Sequence, residues 1–224
     1  MSPGPTPSAT AEFPCAPAPL LIAGPAGELE ILTACPSPDS RVTATAILCH
    51  PHPLHGGSMQ NKVVHTLARA FAELGMGTLR FNFRGVGRSN GVFDHGNGET
   101  DDLLALIQWV RVRRPQDQIW LAGFSFGAYV ALRASARTDV RQLVLVAPPV
   151  NLYDFDALPL PPCPLLVIQG GADEVVPAAQ VQRWVDRLGT AAQFVPMDGV
   201  SHFFHQRLND LRDALTQSLK PHLP

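Results

Sequence analysis

The chain has 224 residues, of which 46% are hydrophobic and 16% are charged, a composition that suits one compact domain with a large buried core. Its net charge of −2 lacks the basic excess with which proteins bind nucleic acid or anionic membrane surfaces, so we expect neither partner. No run approaches the ~20 apolar residues of a membrane-spanning helix, and the N-terminus lacks the basic and apolar regions of a secretory signal. Together these features predict a cytoplasmic protein.

The N-terminal segment is rich in proline and small residues. Residues 1–18 carry too little periodic apolar surface to fold alone, which predicts a flexible arm followed by a single domain over residues 19–224. Two short apolar runs, 20–22 and 29–32, then flank a Pro/Gly turn at 24–27. This pattern predicts an antiparallel hairpin at the start of the domain.

The four cysteines, Cys15, Cys35, Cys49 and Cys163, are widely spaced and lie on or near predicted strands. A disulfide framework or a zinc site usually shows closer, paired spacing. We therefore expect free thiols, buried or half-buried, in a reducing compartment.

Apolar, strand-like runs alternate with amphipathic helical segments from residue 44 onward. The strand-like runs cover 46–49, 78–81, 119–121, 143–146, 165–168 and 194–195. Apolar residues recur at helical spacings of three and four within 63–74, 103–110, 181–188 and 208–219, with Thr100 as a candidate N-cap. Strands joined by crossover helices predict an α/β fold with a doubly wound, mostly parallel sheet and helices on both faces.

The sequence Gly123-Phe124-Ser125-Phe126-Gly127 joins the 119–122 strand to an alanine-rich helical segment. A serine with glycines two residues away on either side is the pattern of a nucleophile elbow, a sharp strand-to-helix turn that exposes the hydroxyl. The glycines are needed because side chains at those positions would crowd the turn, whose central residue has a strained conformation. The motif makes Ser125 the candidate nucleophile.

Two further polar residues follow later strands, where the loops of a doubly wound sheet collect reactive groups. Asp173 follows the 165–168 run, and His202 follows the 194–197 segment. Nucleophile, acid and histidine in this chain order match a catalytic triad, with His202 as the base and Asp173 as the acid that orients it. The alternatives that stay open are Glu174, Asp154 or Asp156 as the acid, His205 as the base, and a helix-capping role for Asp173.

Three histidines, His50, His52 and His55, lie close together after the 46–49 strand. Clustered histidines can bind zinc or iron, but these lack the i, i+4 spacing of a helical pair, and no second cluster completes a ligand set. We therefore predict no metal and place these rings at the mouth of the active site. Residues 84–89, Arg-Gly-Val-Gly-Arg-Ser, lack a P-loop lysine and the third glycine of a dinucleotide site, which predicts a structural turn and no cofactor.

Five separated motifs occur in an order that carries a family resemblance. They are residues 50–57, residues 82–89, residues 123–127, the Asp173 loop and the His202 loop. From about residue 20 to residue 220 the chain resembles a small bacterial member of the α/β-hydrolase superfamily.

The resemblance implies a serine hydrolase of the α/β-hydrolase fold with a triad of Ser125, His202 and Asp173. It also implies an oxyanion hole made of two backbone N–H groups. One is that of Phe126, directly after the nucleophile, and the other is that of Leu54, in the loop after the 46–49 strand.

Members of this superfamily often insert a lid after the strand equivalent to 143–146. Here only residues 151–163 separate that strand from the next, and they include three prolines. Such a segment is too short for a helical cap domain, so we predict a shallow, open site without a hydrophobic lid. This argues against a lipase that acts on aggregated lipid.

These features predict a serine hydrolase that cleaves small soluble carboxylic esters or thioesters through an acyl-enzyme. Its partner would be a small-molecule acyl substrate, and the protein itself a monomer or a small homo-oligomer. Peptidase and acyltransferase activities use the same triad and stay open, although Ala128 stands where many serine peptidases of this fold have another glycine. A non-catalytic binding protein of the same fold is the alternative from another class, which an intact triad disfavours.

Overall fold

A computed structural model describes residues 13–15 and 18–224. Within this part of the chain, eight strands form one sheet: β1 (Leu20–Gly24), β2 (Gly27–Ala34), β3 (Ala44–Cys49), β4 (Gly77–Phe81), β5 (Gln118–Phe124), β6 (Gln142–Val146), β7 (Leu165–Gly170) and β8 (Ala192–Met197). Five α-helices lie between and after them: α1 (Lys62–Glu73), α2 (Asn97–Arg113), α3 (Phe126–Ser135), α4 (Ala178–Leu188) and α5 (Leu208–Leu219). The alternation predicted from the apolar runs is confirmed.

The strand order in the sheet is β1-β2-β4-β3-β5-β6-β7-β8. Strands β1 and β2 form the predicted antiparallel hairpin, and β2 is also antiparallel to β4. All other neighbours, from β4 through β3 to β8, are parallel. The predicted doubly wound, mostly parallel sheet is therefore confirmed, and the carboxyl ends of its parallel strands meet at one edge.

The sheet is covered on both faces, which explains why its strands are apolar runs rather than alternating patterns. Leu121 of β5 belongs to the core between the sheet and helices α2, α3 and α4. The neighbouring Trp120 and Ala122 belong to the opposite core, beneath α1 and α5. Among the described residues, no helix combines the length and the apolar character that crossing a membrane requires.

The start of α2 differs from the prediction that Thr100 is its N-cap. The helix begins at Asn97 with Gly96 as the N-cap residue, and Thr100 lies in the first turn, where its hydroxyl donates to the Gly96 carbonyl at 2.6 Å. The carboxylate of Glu99 accepts the Gly96 N–H at 2.8 Å and so supplies the capping interaction. The helix therefore starts one turn earlier than its apolar spacing indicates.

The prediction that all four cysteines are free thiols is wrong for Cys15 and Cys35, which form a disulfide with their Cα atoms 5.3 Å apart. Cys49 and Cys163 are free. Burial raises the pKa of both free thiols, that of Cys163 to about 11. The two cysteines are 20 residues apart in sequence, so their spacing did not indicate a pair. They meet because the β1–β2 hairpin between them returns the chain to the same place.

The predicted flexible arm lies mostly outside the described residues, which omit 1–12 and 16–17. Within the arm, Phe13 is buried, and its ring centre is 5.7 Å from that of Trp109 in α2. The Thr33 hydroxyl of β2 donates to the carbonyl of Pro14. Residues 13–15 are therefore packed against the domain, with the disulfide as a covalent link.

Candidate active site

Ser125 occupies the sharp turn between β5 and α3. Its backbone has φ 55° and ψ −121°, a conformation that is strained for a residue with a side chain, and its N–H donates to the Val146 carbonyl at 2.9 Å. A Cβ atom on Gly127 would overlap the Cys49 carbonyl and lie 2.6 Å from the His50 oxygen. A Cβ atom on Gly123 would overlap the Gly127 carbonyl in the same way. Only glycine fits at both positions, as the elbow motif predicts.

The structure brings Ser125, His202 and Asp173 together from three loops at the carboxyl edge of the sheet. His202 follows β8, and its Nε2 atom lies 3.2 Å from the Ser125 Oγ. Asp173 follows β7, and its Oδ2 atom lies 2.8 Å from Nδ1 of His202. Because the carboxylate can only accept, Nδ1–H donates to it, and Nε2 is left as the acceptor for the serine hydroxyl.

The carboxylate of Asp173 is held by donors on both oxygens. Its Oδ1 accepts the N–H groups of Val175 and Val176 at 2.9 and 2.7 Å, and Gln169 Nε2 lies 3.0 Å from its Oδ2. Burial is the largest single influence and raises the pKa of this carboxyl group. The hydrogen bonds from His202, Val176 and Val175, together with the charge of the His202 ring, outweigh it and lower the pKa. Asp173 is therefore ionised at neutral pH.

The alternative acids and the alternative base lie elsewhere. Glu174 accepts the backbone N–H of His202 at 3.1 Å rather than its ring N–H. Asp154 accepts the Ala157 N–H at 3.0 Å, and Asp156 forms an exposed ion pair with Arg187. His205 is exposed, and its ring lies 5.9 Å from that of Phe203. None of these four side chains contacts Ser125 or the His202 ring nitrogens within the described part of the chain.

The two predicted oxyanion donors are placed differently. Phe126 is the first residue of α3 and lines the pocket beside Ser125. Leu54 does not line it, because it lies in a 3-10 turn, Pro53–His55, where its N–H donates to Nδ1 of His52 at 3.2 Å. The prediction of Leu54 as a donor is not supported by this geometry. His52 does line the pocket, and among the described residues its N–H has no acceptor.

His50 holds the start of this loop to the neighbouring strand. Its Nε2 accepts the Phe83 N–H at 3.0 Å, and its Nδ1 donates to the Pro51 carbonyl at 2.6 Å. Burial lowers the pKa of His50 to about 3, so the ring is neutral. Both ring nitrogens are engaged, and in the described part of the chain no three His, Cys, Asp or Glu side chains are grouped as a metal site. His50 therefore has a structural role, in which it links the loop after β3 to the segment after β4.

Arg84 lies in the glycine-containing turn after β4 and has a structural partner in α2. Its Nε and Nη2 atoms donate to the two carboxylate oxygens of Asp102, each at 2.8 Å. Asp102 lies in α2 and is fully buried. The paired, two-bond geometry attaches the 82–96 loop to α2 and leaves Arg84 occupied by a carboxylate.

A pocket of about 180 Å³ opens beside Ser125. Its walls are mostly apolar or aromatic and include His52, Phe126, Tyr153, Leu152 and Phe203. Among the residues that the structure describes, no lysine or arginine lines it. The 151–163 segment beside it has no helix, and Leu152 at the rim is 62% exposed, so the site is open as predicted but its rim is apolar.

Comparisons with known proteins agree with this fold. The profile of the hydrolase family described as serine aminopeptidase, S33, matches residues 52–162. A structure from Xanthomonas campestris, described as an α/β serine hydrolase without a lid, is 49% identical with a TM-score of 0.91, covering 96% of this chain and 98% of that one. An α/β serine hydrolase homologue from Coxiella burnetii is 48% identical with a TM-score of 0.89, covering 93% and 100%.

An uncharacterised protein of Rickettsia prowazekii extends the likeness to sequence relatives. It is 36% identical over 207 residues, which are 88% of this chain and 86% of that protein. The identity, the coverage and the shared lidless architecture lead to one assignment. The chain belongs to the α/β-hydrolase superfamily, as one of its small serine hydrolases without a lid.

Proposed function

We propose that this serine hydrolase cleaves small soluble carboxylic esters or thioesters through an acyl-enzyme formed on Ser125. The observation that carries the proposal is the hydrogen-bonded series from Ser125 Oγ to His202 Nε2 at 3.2 Å and from His202 Nδ1 to Asp173 Oδ2 at 2.8 Å. A serine hydroxyl is a weak nucleophile unless a base takes its proton, and this series supplies the base and the group that orients it. Membership of the superfamily supports hydrolase chemistry in general.

Acylation begins when Ser125 Oγ attacks the substrate carbonyl carbon and its proton passes to Nε2 of His202. The charge of Asp173 stabilises the imidazolium that results. The tetrahedral intermediate collapses when the imidazolium gives this proton to the leaving alkoxide or thiolate. A water molecule, deprotonated by the same ring, then hydrolyses the acyl-enzyme and frees Ser125.

The developing oxyanion needs donors that are already in place. We assign one to the N–H of Phe126 and, in place of Leu54, the other to the N–H of His52. This assignment is supported by the position of both residues in the pocket wall and by the bond between Leu54 and the His52 ring. Loss of one such donor costs about 3–4 kcal/mol in a comparable hydrolase.

The pocket supports a neutral substrate of modest size. A cavity of about 150 Å³ is large enough for benzene, so about 180 Å³ accommodates a ring or a short acyl chain. The lack of lysine and arginine in the lining disfavours a substrate whose carboxylate or phosphate must enter the pocket. Burial first, and then the neighbouring His55 and His95, lower the pKa of His52, so its ring is neutral near pH 7.

Aminopeptidase activity is the second candidate, because it is what the matching family is described by. Ala128 occupies a position where many peptidases of this fold have glycine, which favours ester hydrolysis over peptide hydrolysis. Acyl transfer to a nucleophile other than water would use the same residues.

The test is labelling with a fluorophosphonate probe. Wild type and a distant control, Ser218→Ala, should react, whereas Ser125→Ala should not. Failure of correctly folded wild type to react would favour a non-catalytic binding protein. A panel of p-nitrophenyl esters, a thioester and an aminoacyl p-nitroanilide then separates the activities, and faster cleavage of the anilide would overturn the ester assignment.

A further inference from the structure

Gln169, the residue before the last of β7, lies directly behind the triad. We propose that it is a positioning residue that acts through Asp173 and thereby sets the basicity of His202. The proposal rests on the proposed function of Ser125, His202 and Asp173. It adds a fourth member to the hydrogen-bonded series that the sequence motifs did not indicate.

The contacts of Gln169 point its amide nitrogen at the triad. The side chain is fully buried, and Nε2 lies 3.0 Å from Asp173 Oδ2 and 3.0 Å from the Val176 carbonyl. The two N–H groups serve these two acceptors, and the Gly170 carbonyl lies farther from Nε2, at 3.4 Å. The Val176 N–H in turn donates to the other carboxylate oxygen of Asp173 at 2.7 Å, so Gln169 and the Asp173 loop hold one another.

The amide can point in only one direction. Reversing it would place Oε1 against the Asp173 carboxylate and the Val176 carbonyl, both of which only accept hydrogen bonds. In the observed direction Oε1 is buried and has no partner among the described residues. A buried oxygen without a donor is disfavoured for stability, so its presence calls for an explanation other than packing. Delivery of an N–H to the triad carboxylate is that explanation.

The consequence for catalysis follows from the shared oxygen. Asp173 Oδ2 accepts from both His202 Nδ1 and Gln169 Nε2, so Gln169 draws part of the carboxylate's charge away from the imidazole. Without Gln169, the full charge of Oδ2 faces His202, stabilises the imidazolium and raises the pH at which the base becomes free. The carboxylate also loses a contact that keeps Oδ2 directed at the ring.

The other groups around His202 set the background for this effect. Its ring packs against Phe124 and Phe203, at centroid distances of 5.2 and 5.0 Å, and the Phe203 ring is perpendicular to it. Besides Asp173, the charged group in contact with it in the described part of the chain is Glu174, at its backbone N–H. Gln169 forms no hydrogen bond with Phe124, Phe203 or Glu174, so its replacement removes no direct contact with these groups.

The experiment compares Gln169→Met with Gln142→Met. Gln142 is a matched control, because it is also buried and donates to the Leu143 and Pro164 carbonyls of the sheet rather than to the triad. For Gln169→Met we expect the acid limb of kcat/KM, measured with a soluble p-nitrophenyl ester, to move up by about 0.5–1 pH unit. We also expect kcat to fall about tenfold with little change in KM. Gln142→Met should leave both unchanged.

The outcomes separate this proposal from the one on which it rests. If wild type fails to react with the fluorophosphonate probe, the proposed function is lost and this proposal with it. If wild type reacts and Gln169→Met loses only thermal stability, with the acid limb unmoved, Gln169 is structural and the proposal is overturned. Should Gln169→Met not fold, Gln169→Asn replaces it, because asparagine keeps the amide on a side chain that is too short to reach Asp173. The proposal then requires the acid limb of kcat/KM of Gln169→Asn to move up by the same amount.

Discussion

Replacing Asp173 with asparagine separates the charge of this residue from its shape. Asparagine is of equal size, and its oxygen can still accept the Val175 and Val176 N–H groups. Its NH₂ group then takes the place of Oδ2 and faces the His202 ring, so Nδ1 must give up its proton and become the acceptor. The ring proton moves to Nε2, which can no longer accept the proton of Ser125.

The expected loss is large because both the tautomer and the charge are wrong. The same change in a model triad lowers kcat about 10⁴-fold. At about 1.36 kcal/mol for each factor of ten, this corresponds to about 5.4 kcal/mol of transition-state stabilisation. KM should change little, since Asp173 does not line the pocket.

Steady-state kinetics with a soluble p-nitrophenyl ester measures this loss, and the chain offers three matched controls. Asp154→Asn and Asp156→Asn should keep kcat within about twofold, because exposed carboxylates contribute little. Glu174→Gln should lose less than about tenfold, since its amide oxygen can still accept the His202 N–H. If Asp173→Asn keeps kcat within tenfold of wild type, Asp173 only caps the loop before α4, and the triad assignment is refuted.

Three further changes test the framework of the site. Gly127→Ala should lower Tm by about 2–12 °C, because its Cβ would overlap backbone atoms of β3, and an unchanged calorimetric Tm would contradict this. Asp102→Asn should cost about 3–5 kcal/mol in urea unfolding, because it leaves Arg84 without its charge partner, whereas exposed Asp101→Asn should cost less than about 1 kcal/mol. Because the pKa of Asp173 is lowered in the folded state, its ionised carboxylate stabilises the fold at pH values above the unfolded pKa of about 3.9. This stabilisation is lost as the pH falls through the lower folded pKa, so the stability of Asp173→Asn in acid unfolding should depend less on pH over this range.

The fold and the proximity of Ser125, His202 and Asp173 could be predicted because their signals are local. Buried parallel strands are continuous apolar runs, and the helices between them repeat apolar residues every three or four positions, so each element is visible in its own segment. The Ser125 elbow is equally local, since its two glycines are required by backbone atoms within and beside the turn. The chain order of nucleophile, acid and histidine then indicated which loops would meet at the carboxyl edge.

The features that escaped prediction depend on the conformation of a loop or on distant pairing. Leu54 occupies a suitable position in sequence, but its N–H donates to the His52 ring, and Leu54 does not line the pocket. The disulfide between Cys15 and Cys35 depends on a hairpin that returns the chain. Gln169 carried one signal, a polar residue near the end of a strand that is buried throughout. A buried polar side chain needs hydrogen-bond partners. Near the carboxyl end of a parallel strand, those partners belong to the loops at the edge of the sheet where the site forms.

The open architecture also changes how water is excluded from the reaction. In an enzyme with a lid, closure removes water from the nucleophile and the base. Here His202 is shielded by Phe124 and Phe203, but Phe203 and Leu152 are themselves 42% and 62% exposed at the rim. A substrate group that fills the pocket would cover these two side chains and so supply part of the desolvation. A ring-sized apolar group should therefore be favoured over acetyl in kcat as well as in KM, because an acetyl group leaves the rim side chains in contact with water.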